Sequence, residues 1–120
     1  MSAFPITVWH NPACGTSRKV LELIGAAGHS PTVVEYLNTG WEPAELQGLL
    51  AEAGLSPREA LRERGTAAAE LGLTDLSAPD AVILAAMLTH PSLVNRPLVR
   101  TPKGVRLARP PETVLELLDS

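Results

Sequence analysis

The segment Cys14-Gly15-Thr16-Ser17-Arg18 gathers a thiol, two hydroxyls and a cation directly after an apolar run and a turn. If a helix starts here, its first backbone N–H groups are unpaired and its end carries a partial positive charge. Both favour thiolate over thiol, and the thiolate is the reactive species. Gly15 lets the backbone approach a ligand, Thr16 and Ser17 supply hydroxyl donors, and Arg18 adds charge. The same turn is suited to an anion. His10, at the end of the apolar run, has two readings: it supports the thiolate, or it is a strand-end residue satisfied by backbone hydrogen bonds.

Cys14 is the single cysteine of these 120 residues. A disulfide scaffold is thereby excluded, and so is a zinc site built mainly from thiolates. His29 and His90 show no ligand spacing that matches His10 and Cys14, so no metal is expected. The net charge of −3 argues against a general nucleic-acid binder. Of the ten basic residues only Lys19 and Lys103 are lysines, and most of the arginines fall in the second half. An arginine meets an oxyanion with two parallel hydrogen bonds, so an acidic chain of this kind can still carry one electropositive pocket. Taken singly, each arginine reads as well as a solvated surface charge.

The elements that would position these groups follow from hydrophobic periodicity. Residues 6–10 read as a buried strand, residues 16–27 as a helix with Val20, Leu21, Leu23 and Ile24 on its apolar face, and residues 32–36 as a second, parallel strand. Gly28 closes the helix, with His29 beside it. A helix is expected over 43–53, opened by Pro43 and burying Leu46, Leu49 and Leu50. Ser56-Pro57-Arg58-Glu59 has the form of a capping box opening a short helix to about residue 64. Residues 79–89 read as another helix, 98–101 and 105–108 as a hairpin, and 111–118 as a last amphipathic helix burying Val114, Leu115 and Leu118. The order is βαβ, a helical insertion at about 43–89, then ββα: an α/β, thioredoxin-like fold with a mixed four-stranded sheet, in a single domain spanning 1–120. Trp9 and Trp41 read as packing or surface residues, and Arg58 and Arg100 as surface charges.

The stretch His10-Asn11-Pro12-Ala13-Cys14-Gly15-Thr16-Ser17-Arg18 closely resembles the active-site loop of the glutaredoxin-coupled arsenate reductases. Further matches are His90-Pro91-Ser92-Leu93-Val94-Asn95-Arg96-Pro97 and the turn Thr101-Pro102-Lys103-Gly104 leading to Leu107-Ala108-Arg109-Pro110. Ala60-Leu61-Arg62 with Glu70-Leu71-Gly72-Leu73 fits the family's helical insert, so the resemblance covers essentially the whole chain. It implies that Cys14 is the nucleophile, assisted by His10 and Ser17. It further implies that Arg62, Arg96 and Arg109, with Gly15 and Thr16, bind the arsenic oxyanion. Arg64 competes with Arg62 for that role and Arg18 is a further candidate. Pro97 matches the cis-proline that thioredoxin-like folds place opposite the active-site cysteine. Without a second thiol the adduct must be resolved from outside. The resemblance names glutathione as the co-substrate and a glutaredoxin-type protein as partner, with no bound cofactor.

The same superfamily holds reductases of other substrates and a redox regulator that binds RNA polymerase. Regulators of that kind use paired cysteines, whereas Ser17 stands at the second position here. No apolar run approaches bilayer length, and Met1-Ser2-Ala3-Phe4-Pro5 lacks a basic flank and a long apolar stretch. A cytoplasmic monomer is expected.

Overall fold

The computed structural model describes residues 4–118; the leader expectation rests partly on residues 1–3, which lie outside this range. The chain divides into two compact units: one contains the residues up to Thr39 and from Arg96 onward, the other is Gly40–Asn95. The insertion expected at about 43–89 falls within the second unit.

The first unit is built on a four-stranded sheet, order β2-β1-β3-β4. Strand β1 (Thr7–Trp9) pairs in parallel with β2 (Thr32–Val34) and antiparallel with β3 (Leu98–Thr101), which forms a hairpin with β4 (Gly104–Leu107). The sheet is mixed, and the fold is α/β and thioredoxin-like. Between β1 and β2 runs helix α1 (Gly15–Ala26), with Cys14 in extended conformation at its N-cap. The helix ends as Gly28 predicts. With φ at +89°, Gly28 lets its own N–H reach the Gly25 carbonyl and that of His29 reach the carbonyl of Ile24. His29 therefore caps through its backbone, while its ring sits 5.3 Å from Phe4. Val20 and Ile24 of α1 are fully buried in a core with Ile6, Val8, Val99, Ala108, Val114 and Leu117. Truncating Ile24 to alanine in such a core costs about 2–5 kcal/mol.

Two expectations in this unit need correction. The second strand stops at Val34, because Tyr36 opens a short helix, α2 (Tyr36–Thr39), and its ring is buried. The final segment is a 3-10 helix, Pro111–Leu117, rather than an α-helix. Three residues per turn align Val114 with Leu117, which are buried; Leu118 is buried as expected, whereas Leu115 is half exposed. Thr101 Oγ1 donates to the Leu117 carbonyl at 2.7 Å and fastens this helix to the end of β3.

In the second unit, helix α3 (Pro43–Ala53) has the expected bounds. The Glu42 carboxylate accepts the Glu45 N–H at its start, and Gly54 at φ +71° ends it. Leu46, Leu49 and Leu50 are buried. Helix α4 (Asp80–Thr89) is apolar all round, and its buried stripe is Ile83 and Met87, while Val82 is half exposed. A 3-10 turn, Pro91–Leu93, follows it.

The capping box at Ser56 forms without its helix. The Ser56 N–H donates to Glu59 Oε1 at 2.9 Å and the Glu59 N–H to Ser56 Oγ at 3.1 Å, yet the segment only turns. Its backbone is claimed by a distant strand-like pairing. Leu61 bridges Val94, the Arg62 N–H donates to the Leu93 carbonyl at 2.7 Å, and the Asn95 N–H to that of Ala60 at 2.8 Å. Gly65, at φ +74°, continues the turn. Arg58 is a second correction. It is half-buried and donates to the carbonyls of Leu73, Asp75 and Ala78 at 3.4, 2.9 and 2.8 Å, holding the irregular loop 73–78 in place.

Candidate active site

The β1–α1 turn is organised by Asn11. Its side-chain Oδ1 accepts the Ala13 N–H at 2.9 Å and its carbonyl accepts the Cys14 N–H at 3.0 Å. An Asn-Pro pair favours this side-chain-to-backbone turn, and that was the available signal for a residue that sequence reasoning treated only as part of a turn. The Arg18 N–H donates to the Cys14 carbonyl at 3.0 Å as the first helical bond. Cys14 is thus set on the first turn of α1, as its sequence context implies. The residue is 8% exposed, so Cys14 is buried, not open as a helix-start position suggests.

Burial alone would raise the pKa of Cys14. The Ser17 backbone N–H, the Arg96 and Arg109 side chains as hydrogen-bond donors, and the Arg96 charge outweigh it and bring the pKa down to about 7. The thiolate, the form that attacks electrophiles, is thereby favoured relative to an ordinary cysteine. Arg109 Nη1 lies 3.7 Å from Sγ and also donates to the Arg96 carbonyl at 3.0 Å. The Arg96–Pro97 and Arg109–Pro110 peptide bonds are both cis; only the first was singled out from the sequence.

Ser17 is fully buried. Its Oγ lies 2.7 Å from His10 Nδ1 and accepts the Asn11 N–H at 3.1 Å. His10 is also buried, and its N–H donates to the Val34 carbonyl at 2.8 Å. The backbone bond satisfies the strand end, and the ring contacts the hydroxyl of Ser17, the residue whose backbone N–H donates to the Cys14 thiol. Burial lowers the His10 pKa; Glu35 opposes this and Arg18 adds to it. The direction of the Ser17–His10 hydrogen bond follows the imidazole tautomer, while the hydroxyl oxygen accepts from Asn11.

Gly15 is exposed and Thr16 half-buried. A Cβ on Gly15 would meet only Arg18 Nη2, at an ordinary 3.8 Å. Arg18 is exposed and donates from Nη1 to the Pro12 carbonyl at 2.8 Å. The first unit thus brings together Cys14, Ser17, His10, Arg96, Arg109 and Arg18. Arg62 and Arg64 belong to the second unit, where Arg62 Nε donates to the Arg64 carbonyl at 3.0 Å. Thr66 Oγ1 holds the Arg62 carbonyl at 2.7 Å, so the Arg62–Thr66 turn is fixed from within. Among the described residues, no group of three or more His, Cys, Asp or Glu is arranged to hold a metal ion.

A partly ionised cysteine between two guanidinium groups, at the start of a helix on a thioredoxin-like sheet, defines a protein built to bring a thiolate and an oxyanion together. The chain belongs to the ArsC family, which it matches over residues 9–117. It is 58% identical over 114 residues to arsenate reductase ArsI2 of Synechocystis, covering 95% of this chain and 81% of that one. It is 49% identical over 113 residues to an arsenate reductase of Escherichia coli K12, covering 94% and 80%. The structure of an arsenate reductase from Vibrio cholerae superposes with a TM-score of 0.91 at 38% identity, covering 98% of this chain and all of the other.

Proposed function

We propose that this chain reduces arsenate to arsenite through a covalent Cys14–arsenic adduct. One observation carries the reading: Arg109 Nη1 lies 3.7 Å from Cys14 Sγ, and Arg96 and Arg109 together help hold the thiol's pKa down to about 7. The names of the relatives at 58% and 49% identity support it. Arsenate is mostly dianionic at neutral pH, so a thiolate approaching it brings negative charge toward negative charge. Guanidinium groups beside the sulfur offset that repulsion and stabilise charge on the arsenic oxygens in the transition state. By resemblance Arg62 supplies a third donor, and the open first turn of α1, at Gly15 and Thr16, adds backbone N–H groups.

The Cys14 thiolate attacks As(V); an S–As bond forms and one oxygen, protonated, leaves as water. With no second thiol in these 120 residues, a small external thiol adds next, displacing a second water. A redox protein's thiolate then attacks the sulfur of the added thiol. The electron pair of that S–As bond stays on arsenic, reducing As(V) to As(III), and a mixed disulfide forms. Hydrolysis of the remaining S–As bond releases arsenite and regenerates Cys14. We assign glutathione as the small thiol and a glutaredoxin-type protein as the final reductant, with no bound cofactor, in a cytoplasmic setting where such thiols stay reduced. Helix length and apolarity give no membrane span among the described residues. Arsenite production by the purified chain tests this. Turnover requiring both glutathione and glutaredoxin is expected. Turnover with thioredoxin alone would overturn the coupling, and no arsenite with any thiol system would overturn the activity.

A further inference from the structure

Arg18, a further candidate for the oxyanion by resemblance, has no assigned part in the proposed reaction. It is exposed on the first turn of α1, and its guanidinium lies along the loop that carries Cys14. Nη1 is fixed to the Pro12 carbonyl at 2.8 Å on one side, and Nη2 stands 3.8 Å from where a Gly15 Cβ would be on the other. Its charge is felt at His10, whose protonation it disfavours. Among the described residues it has no acidic partner. Pro12, Ala13 and Gly15, which flank Cys14, are exposed, so this loop is the open approach to a buried sulfur. Tethering by one N–H leaves the outer edge of the guanidinium facing solvent with donors to spare.

We infer that Arg18 is a specificity residue for the thiol that reacts at Cys14, and that it selects thiols bearing a carboxylate. The inference rests on the reading of Cys14 as the reactive thiolate and deepens it by assigning the co-substrate's recognition group. A carboxylate on the incoming thiol pairs with the free edge of Arg18 while its sulfur reaches the atom held on Cys14. Arg96 and Arg109 remain with the arsenic oxygens. Because the pair is at the protein surface, its worth is modest, about fivefold in rate or affinity.

Thiol–disulfide exchange in the absence of arsenate tests this directly. The Cys14 thiolate attacks one sulfur of a symmetric disulfide, the S–S bond breaks, a mixed disulfide forms on Cys14 and a thiolate leaves. Rates are measured by intact mass for glutathione disulfide, which carries carboxylates, and for the neutral hydroxyethyl disulfide. The ratio of the two rates cancels any change in Cys14 reactivity or loop order. The ratio is expected to fall about fivefold in Arg18→Gln and to stay within about twofold of wild type in Arg18→Lys, which keeps the charge. An unchanged ratio in Arg18→Gln, or an equal fall in Arg18→Lys, overturns the assignment. Neither outcome depends on whether the chain reduces arsenate, which is read separately from arsenite production.

Discussion

Arg109 Nη1 sits 3.7 Å from Cys14 Sγ while donating to the Arg96 carbonyl at 3.0 Å, so one nitrogen ties the thiol to the segment that also supplies Arg96. The two N–H bonds of that nitrogen have separate tasks, one electrostatic and one positional. A lysine ammonium carries the charge without the planar fork that serves both. Arg109→Ala should therefore raise the Cys14 pKa from about 7 toward the ordinary thiol value. Alkylation by a neutral reagent, followed against pH, reads this as a shift of the rate midpoint to higher pH. A midpoint unmoved by Arg109→Ala would contradict the assigned contact.

The same shift predicts a pH-dependent stability. The folded-state pKa of Cys14 lies below its unfolded value of 9.0, so the contribution is complete above about pH 9 and is lost as pH falls through about 7. The stability gap between wild type and Cys14→Ser should widen between pH 6 and pH 9, by at most about 2–3 kcal/mol. Urea denaturation at the two pH values measures it. A gap that is constant or narrows with pH would show that the thiolate is not favoured by folding.

The parts of the fold legible in the sequence are those governed by local rules. Helix Pro43–Ala53 appears at its expected bounds because Pro43, the Glu42 cap and Gly54 all act within a few residues. The Cys14 turn and the Gly28 helix end are local in the same sense. The helix expected after Ser56 fails because Leu61 pairs with Val94, which no window around Ser56 contains. The last helix misled because apolar spacing at Val114, Leu115 and Leu118 suits a 3.6-residue turn, while Val114 and Leu117 satisfy a three-residue one. Arg58 looked like a surface charge because its acceptors are carbonyls, which carry no sequence signature. Arg100 likewise lies half-buried, its guanidinium 5.8 Å from the buried Trp9 ring. At the site, Cys14, Ser17 and His10 could be read together from one stretch. Arg96 and Arg109 came only through the resemblance, since pairing across the sheet, not spacing, brings them to Cys14.

Arg58→Ala is accordingly expected to act on stability. Losing its bonds to Leu73, Asp75 and Ala78 should cost about 1–3 kcal/mol, the range for hydrogen bonds from a charged donor. A thermal melt checks this, and a melting temperature equal to wild type would remove Arg58 as the anchor of loop 73–78.

The arginines assigned to the oxyanion by resemblance should behave oppositely. Alanine at Arg62, Arg96 or Arg109 should lower kcat/KM for arsenate by about tenfold to a hundredfold, the equivalent of one lost charge-assisted hydrogen bond. Arg96→Lys should restore only part of it. Sulfate and phosphate should compete weakly in wild type, since both are tetrahedral oxyanions. Steady-state kinetics decide between Arg62 and Arg64: a larger loss in Arg64→Ala would transfer the role to that residue.

The most direct test of the central claim is arsenite formation by wild type and Cys14→Ser, assayed side by side with arsenate, glutathione and glutaredoxin, with circular dichroism confirming that both fold. Serine keeps the size of the side chain but is a far weaker nucleophile at neutral pH. Wild type should form arsenite continuously, and Cys14→Ser should form none above the uncatalysed background. Arsenite formed at a comparable rate by the serine variant would contradict the assignment of Cys14 as the atom that attacks arsenic.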